Sequence, residues 1–414
     1  MSQSQVASIT IQPESFPAPR DLRELLERMR AKGHLTPIEY EVSPEPDVQS
    51  YCQAASELGG ISLLFDRIAG YDKNQLAVNL LASWPNCALV CGLPADIPVH
   101  RLINELCFRV DRAEHSPVVI EREQAKSYEC IKNGEIDLYK TLPLFRVNEH
   151  DGGFYLHKAC IVSEDMEASA RQGRMKFGMY PLQVQGCDRL GIHLSGTDNL
   201  SLHIKIAEKM HRRLSVAVCL GVPPLAVLAA SAAIDYGSTE YKLISALYQR
   251  PFELTQCMKS KLLVPAYSEY VLEGYIEPGV RCVEGPFADD GGSLSEIKRQ
   301  PQIVVTMIAH RRDPILDNTY VGKSWTDHDC LVGIAGTLRL HKQAKDFLPE
   351  VARSGIRAEG VHLRLGFCGA RVAGKRSTAG MSFQAELPVE GGLAPYKHEI
   401  REAGRRQAQW RSRI

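Results

Sequence analysis

Val216-Ala217-Val218-Cys219-Leu220-Gly221-Val222-Pro223-Pro224 is a short apolar run, rich in β-branched residues, closed by a glycine and two prolines. Such a run, too short for a stable helix and bounded by turn formers, reads as a buried strand. The same pattern recurs at 118–121, 158–162, 182–184, 190–194 and 303–308, with Gly, Pro and Asp turns between. A series of short strands at that spacing predicts a β-sandwich or barrel in the middle of the chain. Helices are expected to interrupt it at 200–210, capped by Thr197 or Asp198, and at 241–247.

Toward the N-terminus the pattern changes. Leu22, Leu25, Leu26 and Met29 form one stripe at helical spacing, starting near Asp21 and stopped by Gly33. Gly59-Gly60 leads into a strand at 61–65, and 87–93 repeats that apolar pattern as a second strand. Alternation of helix and strand makes the first 110 or so residues an α/β domain. Residues 1–18 are polar and proline-bearing and read as a disordered leader. Toward the C-terminus, 337–347 reads as a linking helix, and the pattern decays beyond Pro349. The final fourteen residues carry five arginines and one glutamate, which reads as a solvated basic tail.

The composition narrows the function. Lysine plus arginine equals aspartate plus glutamate at 49 each among 414 residues, so no overall basic field draws in nucleic acid or membrane. The apolar run 225–234 is too short to span a bilayer, and no apolar core of signal-peptide length opens the chain. Twelve cysteines are scattered with no Cys-x-x-Cys pair. They read as reduced thiols of a cytoplasmic protein and give no zinc site.

Glu284-Gly285-Pro286-Phe287-Ala288-Asp289 places two carboxylates five residues apart around a Gly-Pro turn. Two nearby acids cannot both ionise freely, so one holds a proton to higher pH and becomes available for acid–base work. The same spacing also describes a solvated acidic turn. His310, closing a β-rich run, is a further site candidate, although a histidine beside two arginines also fits an ordinary satisfied position.

Several blocks, in order, resemble the UbiD family of decarboxylases, which use prenylated FMN, and most of all its hydroxybenzoate and protocatechuate branch. They are Asp21-Leu22-Arg23-Glu24, Asp151-Gly152-Gly153-Phe154-Tyr155-Leu156, Lys158-Ala159-Cys160 and Asp188-Arg189-Leu190-Gly191-Ile192. Gly221-Val222-Pro223-Pro224, Glu273-Gly274 with Pro278-Gly279, Glu284-Gly285-Pro286-Phe287, Trp325-Thr326 and Leu348-Pro349-Glu350-Val351 continue the series. The resemblance covers about residues 20–351.

It implies an α/β (α+β) protein in parts. A leader (1–18) precedes an N-terminal α/β domain (19–115) and a split β-barrel that holds the flavin (116–330). A linking helix and the remnant of a shortened C-terminal oligomerisation domain (331–368) follow, then a divergent basic tail (369–414). The implied activity is reversible, non-oxidative decarboxylation of an aromatic acid. The implied cofactors are prenylated FMN, supplied by a flavin prenyltransferase, and Mn²⁺ or Mg²⁺, with K⁺ as a further ion. The implied assembly is a homo-oligomer. In this likeness Asp289 is the proton donor and Glu284 its partner carboxylate. Lys176, Met179, Tyr180, Pro181, His193, Ala230, Ser231 and Glu240 border the cofactor, and Glu240 and Asp198 are the metal ligands. Three positions depart from the family pattern. Lys176 stands where a metal-binding asparagine is usual, Pro181 where an arginine grips the substrate carboxylate, and Asp198 near a metal-binding histidine. The alternative implied by these departures is a catalytically impaired relative or a partner subunit.

Overall fold

The computed structural model describes residues 16–167, 175–232, 234, 238–288, 293–322, 326–347, 351–359 and 362–370; for 340, 343–347 and everything beyond 350 it describes the backbone alone. Asp289, Trp325 and 348–350 lie outside the described residues, as does nearly all of the tail.

The helix expected after Asp21 spans Leu22–Ala31. The Asp21 side chain caps it by accepting from the Glu24 amide, and the four stripe residues are buried. It lies with a four-stranded sheet in the order Leu35–Ile38, Ser62–Phe65, Gln75–Val78, Ile315–Asn318. The fourth strand comes from far along the chain and pairs in parallel with Gln75–Val78. Residues 16–18, assigned to the leader, are held here: the Pro17 carbonyl accepts from Arg28 Nη2 at 2.8 Å. The expected strand at 87–93 is a helix instead, Trp84–Val90, capped by Ser83 with Pro85 in its first turn. A short apolar run buried on all sides has no periodicity to tell strand from helix, and the Ser-x-Pro start decides it.

The middle of the chain forms a nine-stranded antiparallel sheet. Its path runs Phe154–Leu156, Leu182–Gly186, Arg189–Ile192, Gln302–His310, Tyr270–Ile276, Leu214–Leu220, Cys160–Glu164, Met175–Met179, with Cys130–Asn133 also pairing on Gln302–His310. Chain connectivity forces this sheet to curl. Leu156 and Cys160 lie on strands six places apart, which in a flat sheet is about 29 Å. The three residues joining them, four Cα-to-Cα steps, span about 14 Å at most. Met179 and Leu182 pose the same problem with still less chain. The two ends of the path must therefore approach each other, giving a half-barrel with a seam crossed at 157–159 and 180–181. A hydrogen bond from the Tyr180 amide to the Ala159 carbonyl, 2.9 Å, ties the two crossings together. Pro181 lacks an amide hydrogen, yet it sits at a crossing, outside the ladder, where none is needed.

Both faces of the sheet are covered, which explains its near-continuous apolar strands. Along Leu214–Leu220, Leu214, Val216, Val218 and Leu220 join one core with the N-terminal sheet and the helix Asn199–Lys209. Ala217 and Cys219 join the other, with the helices Val99–Asp111, Pro224–Ala230, Glu240–Tyr248 and Asp327–Phe347. Alternation along the strand sorts side chains between the two. The linking helix begins at Asp327, ten residues before its expected start. Asp327 explains the early start: its carboxylate accepts from Lys158 Nζ (3.0 Å) and the Leu81 amide (2.8 Å). Beyond it the backbone forms one hairpin, Val351–Glu359 with His362–Ala370.

Two buried charge clusters fasten these layers. Glu269, fully buried, accepts from Nε and Nη2 of Arg23 (2.9 and 2.8 Å) and from Nη1 of Arg311 (3.3 Å), which also reaches Asp21 (2.9 Å). The Asp21-Leu22-Arg23-Glu24 block is thus a clamp between the first helix and the barrel. Lys158, at the seam, joins Asp317 (2.7 Å) of the N-terminal sheet to Asp327 (3.0 Å).

Candidate active site

At the seam lies a cleft of about 480 Å³, within the range of small-ligand pockets. One wall is the strand Met175–Met179 with Tyr180, contributing Lys176, Met179 and Tyr180. The small residues Ala230, Ser231 and Ala232, at the end of the helix Pro224–Ala230, leave the opposite side open. Ser195, Thr197 and Asp198 come from the turn before Asn199–Lys209, Glu240 from the start of its helix, and Arg339 from the last long helix. Seven of the residues expected at the cofactor or the metal are therefore in one cavity. Arg339 was not foreseen; its side chain is exposed, and a long helix expected from periodicity gives no signal for which turn faces a pocket.

Lys176 and Glu240 are both buried. Lys176 Nζ donates to the Ser238 carbonyl at 2.6 Å and stands 3.9 Å from Glu240 Oε1. Glu240 Oε2 accepts from the Phe177 amide at 3.0 Å. Burial pushes the Glu240 carboxyl up to about 7, opposed by Lys176 and that amide. Tyr180 is likewise pushed up by burial.

A second group of side chains adjoins through the crossing. Pro181 follows Tyr180, and its carbonyl accepts from the His193 amide at 3.0 Å. The His193 ring turns to Glu284, Nδ1 to Oε2 2.9 Å, while Tyr155 donates its hydroxyl to Glu284 Oε1 at 2.8 Å. Glu284 is fully buried and closes the strand Cys282–Glu284, so it lies on a short strand rather than on the turn expected for it. Phe287 packs edge-on to His193 at 4.7 Å and against Tyr155 at 5.0 Å. Burial pushes His157, stacked on Tyr155, down to about 3, and its Nε2 has no hydrogen-bond partner among the described residues.

The loop after Glu284 is held by the Asp151-Gly152-Gly153 block. Asp151 accepts from the Ala288 amide at 2.9 Å, and the Gly152 amide donates to the Pro286 carbonyl at 2.7 Å. A Cβ on Gly152 would meet the Gly285 oxygen at 2.4 Å, so only glycine allows this approach. Tyr155 belonged to a block that the sequence marked without giving it a role; its hydroxyl contact becomes visible only once the strands are paired. His310 is not brought to either group. Its Nδ1 meets the Arg311 carbonyl at 2.7 Å and its ring lies 6.0 Å from Tyr270.

The donor set suits an anionic ligand with a flat apolar part. Lys176 and Arg339 supply cations, while Met179, Tyr180 and the small residues Ala230 and Ser231 leave room for a ring. As far as the described residues go, it does not suit a divalent metal. No cluster of three or more His, Cys, Asp or Glu side chains exists among the described residues. Asp198 is engaged as a helix cap, accepting from the Ser201 amide (2.8 Å), Ser201 Oγ (3.0 Å) and Ser195 Oγ (3.0 Å).

A family model described as the 3-octaprenyl-4-hydroxybenzoate carboxy-lyase Rift-related domain matches residues 118–324, and the corresponding N-terminal domain matches 26–106. The chain is 38% identical over 333 residues to a phenolic acid decarboxylase of Bacillus subtilis (strain 168), covering 80% of this chain and 70% of that protein. The vanillic acid decarboxylase of Sedimentibacter hydroxybenzoicus, in its closed form, superposes with a TM-score of 0.80 at 35% identity, over 84% of this chain and 74% of that one. A UbiD-class enzyme of Pelotomaculum thermopropionicum in complex with prFMN gives 0.75 at 30% identity, over 86% and 80%.

Proposed function

Because the chain belongs to the UbiD family of carboxy-lyases, we propose that its seam cleft binds prenylated FMN and that the protein reversibly decarboxylates a hydroxybenzoic or related aromatic acid. The observation that carries this reading is the juxtaposition at the seam. A cleft with cations and a small-residue side is joined through Tyr180-Pro181 to a fully buried carboxylate, Glu284.

When bound, the flavin supplies the electron sink for the bond to departing carbon dioxide. The protein's own residues do the rest. Lys176 holds the anionic end, and Met179, Tyr180, Ala230 and Ser231 border the ring. Tyr155 and His193 fix the Glu284 carboxylate from both sides, so that it faces the reacting carbon in one orientation. The carbon left by carbon dioxide needs a proton, and Asp289, one residue beyond the Ala288 amide that Asp151 anchors, is our assignment for its donor. A prenyltransferase supplies the cofactor, the protein acts in the cytoplasm, and like subunits assemble. No helix among the described residues is long and apolar enough to cross a membrane.

The test is direct. Protein produced with a prenylated-FMN supply is given 4-hydroxybenzoate or protocatechuate, and release of carbon dioxide is followed together with exchange of labelled bicarbonate. Release and exchange support the reading; a flavin-loaded protein that does neither with a panel of aromatic acids contradicts it. Asp289→Asn should lower turnover by about 100-fold or more while leaving flavin content unchanged.

One observation favours a second reading, an impaired enzyme or partner subunit. Pro181 brings no cation to the seam, and the described partners of Glu284 are a histidine and a tyrosine. A bidentate hold on the substrate carboxylate at position 181 is therefore gone. Flavin retention without turnover, reversed by a second subunit, would select this reading.

A further inference from the structure

The cations of the cleft deepen the flavin reading, and this inference rests on it. A divalent ion in this cleft would draw on Glu240 and Asp198, the carboxylates that line it among the described residues. Glu240 is held by the Phe177 amide (3.0 Å) and faces the Lys176 ammonium at 3.9 Å. Both oxygens of Asp198 already accept, from the Ser201 amide and from the hydroxyls of Ser195 and Ser201. The Ser238 carbonyl, a third oxygen nearby, accepts from Lys176 itself at 2.6 Å. A metal would have to uncap a helix and sit beside a buried ammonium, where like charges repel strongly. Meanwhile two cations from distant parts of the chain, Lys176 and Arg339, line the one cavity.

We propose that the Lys176 ammonium takes the place of a divalent metal in this chain, so that the flavin phosphate is bound directly by Lys176, with Arg339 at the rim, and independently of metal. The side chain is a point charge that reaches the cleft from a rigid strand and is already balanced by Glu240, the carboxylate that a metal would otherwise use. Substituting asparagine for Lys176 would remove the ammonium and leave Glu240 and an amide oxygen to receive an ion.

The experiment uses the full chain and FMN as the probe, with fluorescence quenching as the readout, in EDTA and then with added Mn²⁺. The expected result is an FMN dissociation constant the same within about twofold in both, and riboflavin binding weaker than FMN by about tenfold or more, as loss of a charge-assisted contact requires. K176N should bind FMN only when Mn²⁺ is present, and K176M should bind FMN about as weakly as riboflavin. The wild-type comparison needs no variant, so a misfolded mutant cannot rescue the idea. FMN binding by the wild type that vanishes in EDTA and returns with Mn²⁺ overturns the proposal while the decarboxylase reading stands. No FMN binding in either condition overturns both.

Discussion

Two lysines of this protein are buried to the same degree, 3% exposed each, and have opposite environments. Lys158 is locked between Asp317 and Asp327 at 2.7 and 3.0 Å, joining the N-terminal sheet to the last long helix. Lys176 is 3.9 Å from Glu240 and opens on a 480 Å³ cleft. Burial alone therefore does not mark a functional cation. What separates them is geometry: short contacts to two carboxylates in a closed interior make a fastening, whereas a looser pair at the edge of a cavity can accept a ligand. Lys158 lies in the crossing that leads into Cys160–Glu164, and Lys176 lies on the strand paired with it, so one construction serves both purposes.

The comparison breaks most visibly at Lys158. Lys158→Met leaves Asp317 and Asp327 buried without a cation and should cost about 3–5 kcal/mol. Urea unfolding of the variant reads this directly; a change below about 1 kcal/mol would place the fastening elsewhere.

The next largest effect is on the pH dependence set by Glu240. Its carboxyl is raised from 4.5 to about 7 by burial. The fold thus favours the protonated form, so its contribution is complete below pH 4.5 and is lost as pH rises through 7. Glu240→Gln cannot titrate. Between pH 4.5 and 8 the stability difference should therefore swing toward the variant by about 3 kcal/mol. Parallel stability curves for the two proteins would contradict the assignment.

At the seam itself, Pro181→Arg returns a guanidinium to the crossing and sharpens the contrast with the fastening. It should raise kcat/KM on a hydroxybenzoate by about tenfold, the value of one charge-assisted contact. An unchanged rate would mean that the substrate carboxylate is held by other groups. The smallest effect is expected at Asp198, read as a cap and not a ligand. Asp198→Ala should cost about 1 kcal/mol of stability and leave FMN affinity in EDTA unchanged.

The strands were legible because Gly, Pro and Asp turns bracket each apolar run, and the first helix because Asp21 and its stripe carry both a cap and a period. The seam was not. Nothing local says that Met179 and Leu182, three residues apart, belong to distant strands of one path; only the pairing order reveals it. The helix Trp84–Val90 was missed because residues 86–90 are all buried and leave no exposed face to set a period. For the site, residue types carried most of the information: the small pair Ala230-Ser231, Lys176 and Glu240 line one cleft. Their charge balance did not show, since Lys176 and Glu240 lie 64 residues apart and Glu284 and His193 lie 91 apart. Asp21 and Arg23 carry no chemistry at the cleft; in the fold they serve the clamp on Glu269.

The most direct test of the central claim, that the seam is the flavin site, is a crystal structure of the protein loaded with prenylated FMN. The account predicts the phosphate in contact with Lys176 Nζ, the ring beside Ala230 and Ser231, and Glu284 facing the reactive end. A flavin bound away from the Tyr180-Pro181 crossing, or a phosphate that does not touch Lys176, would contradict it.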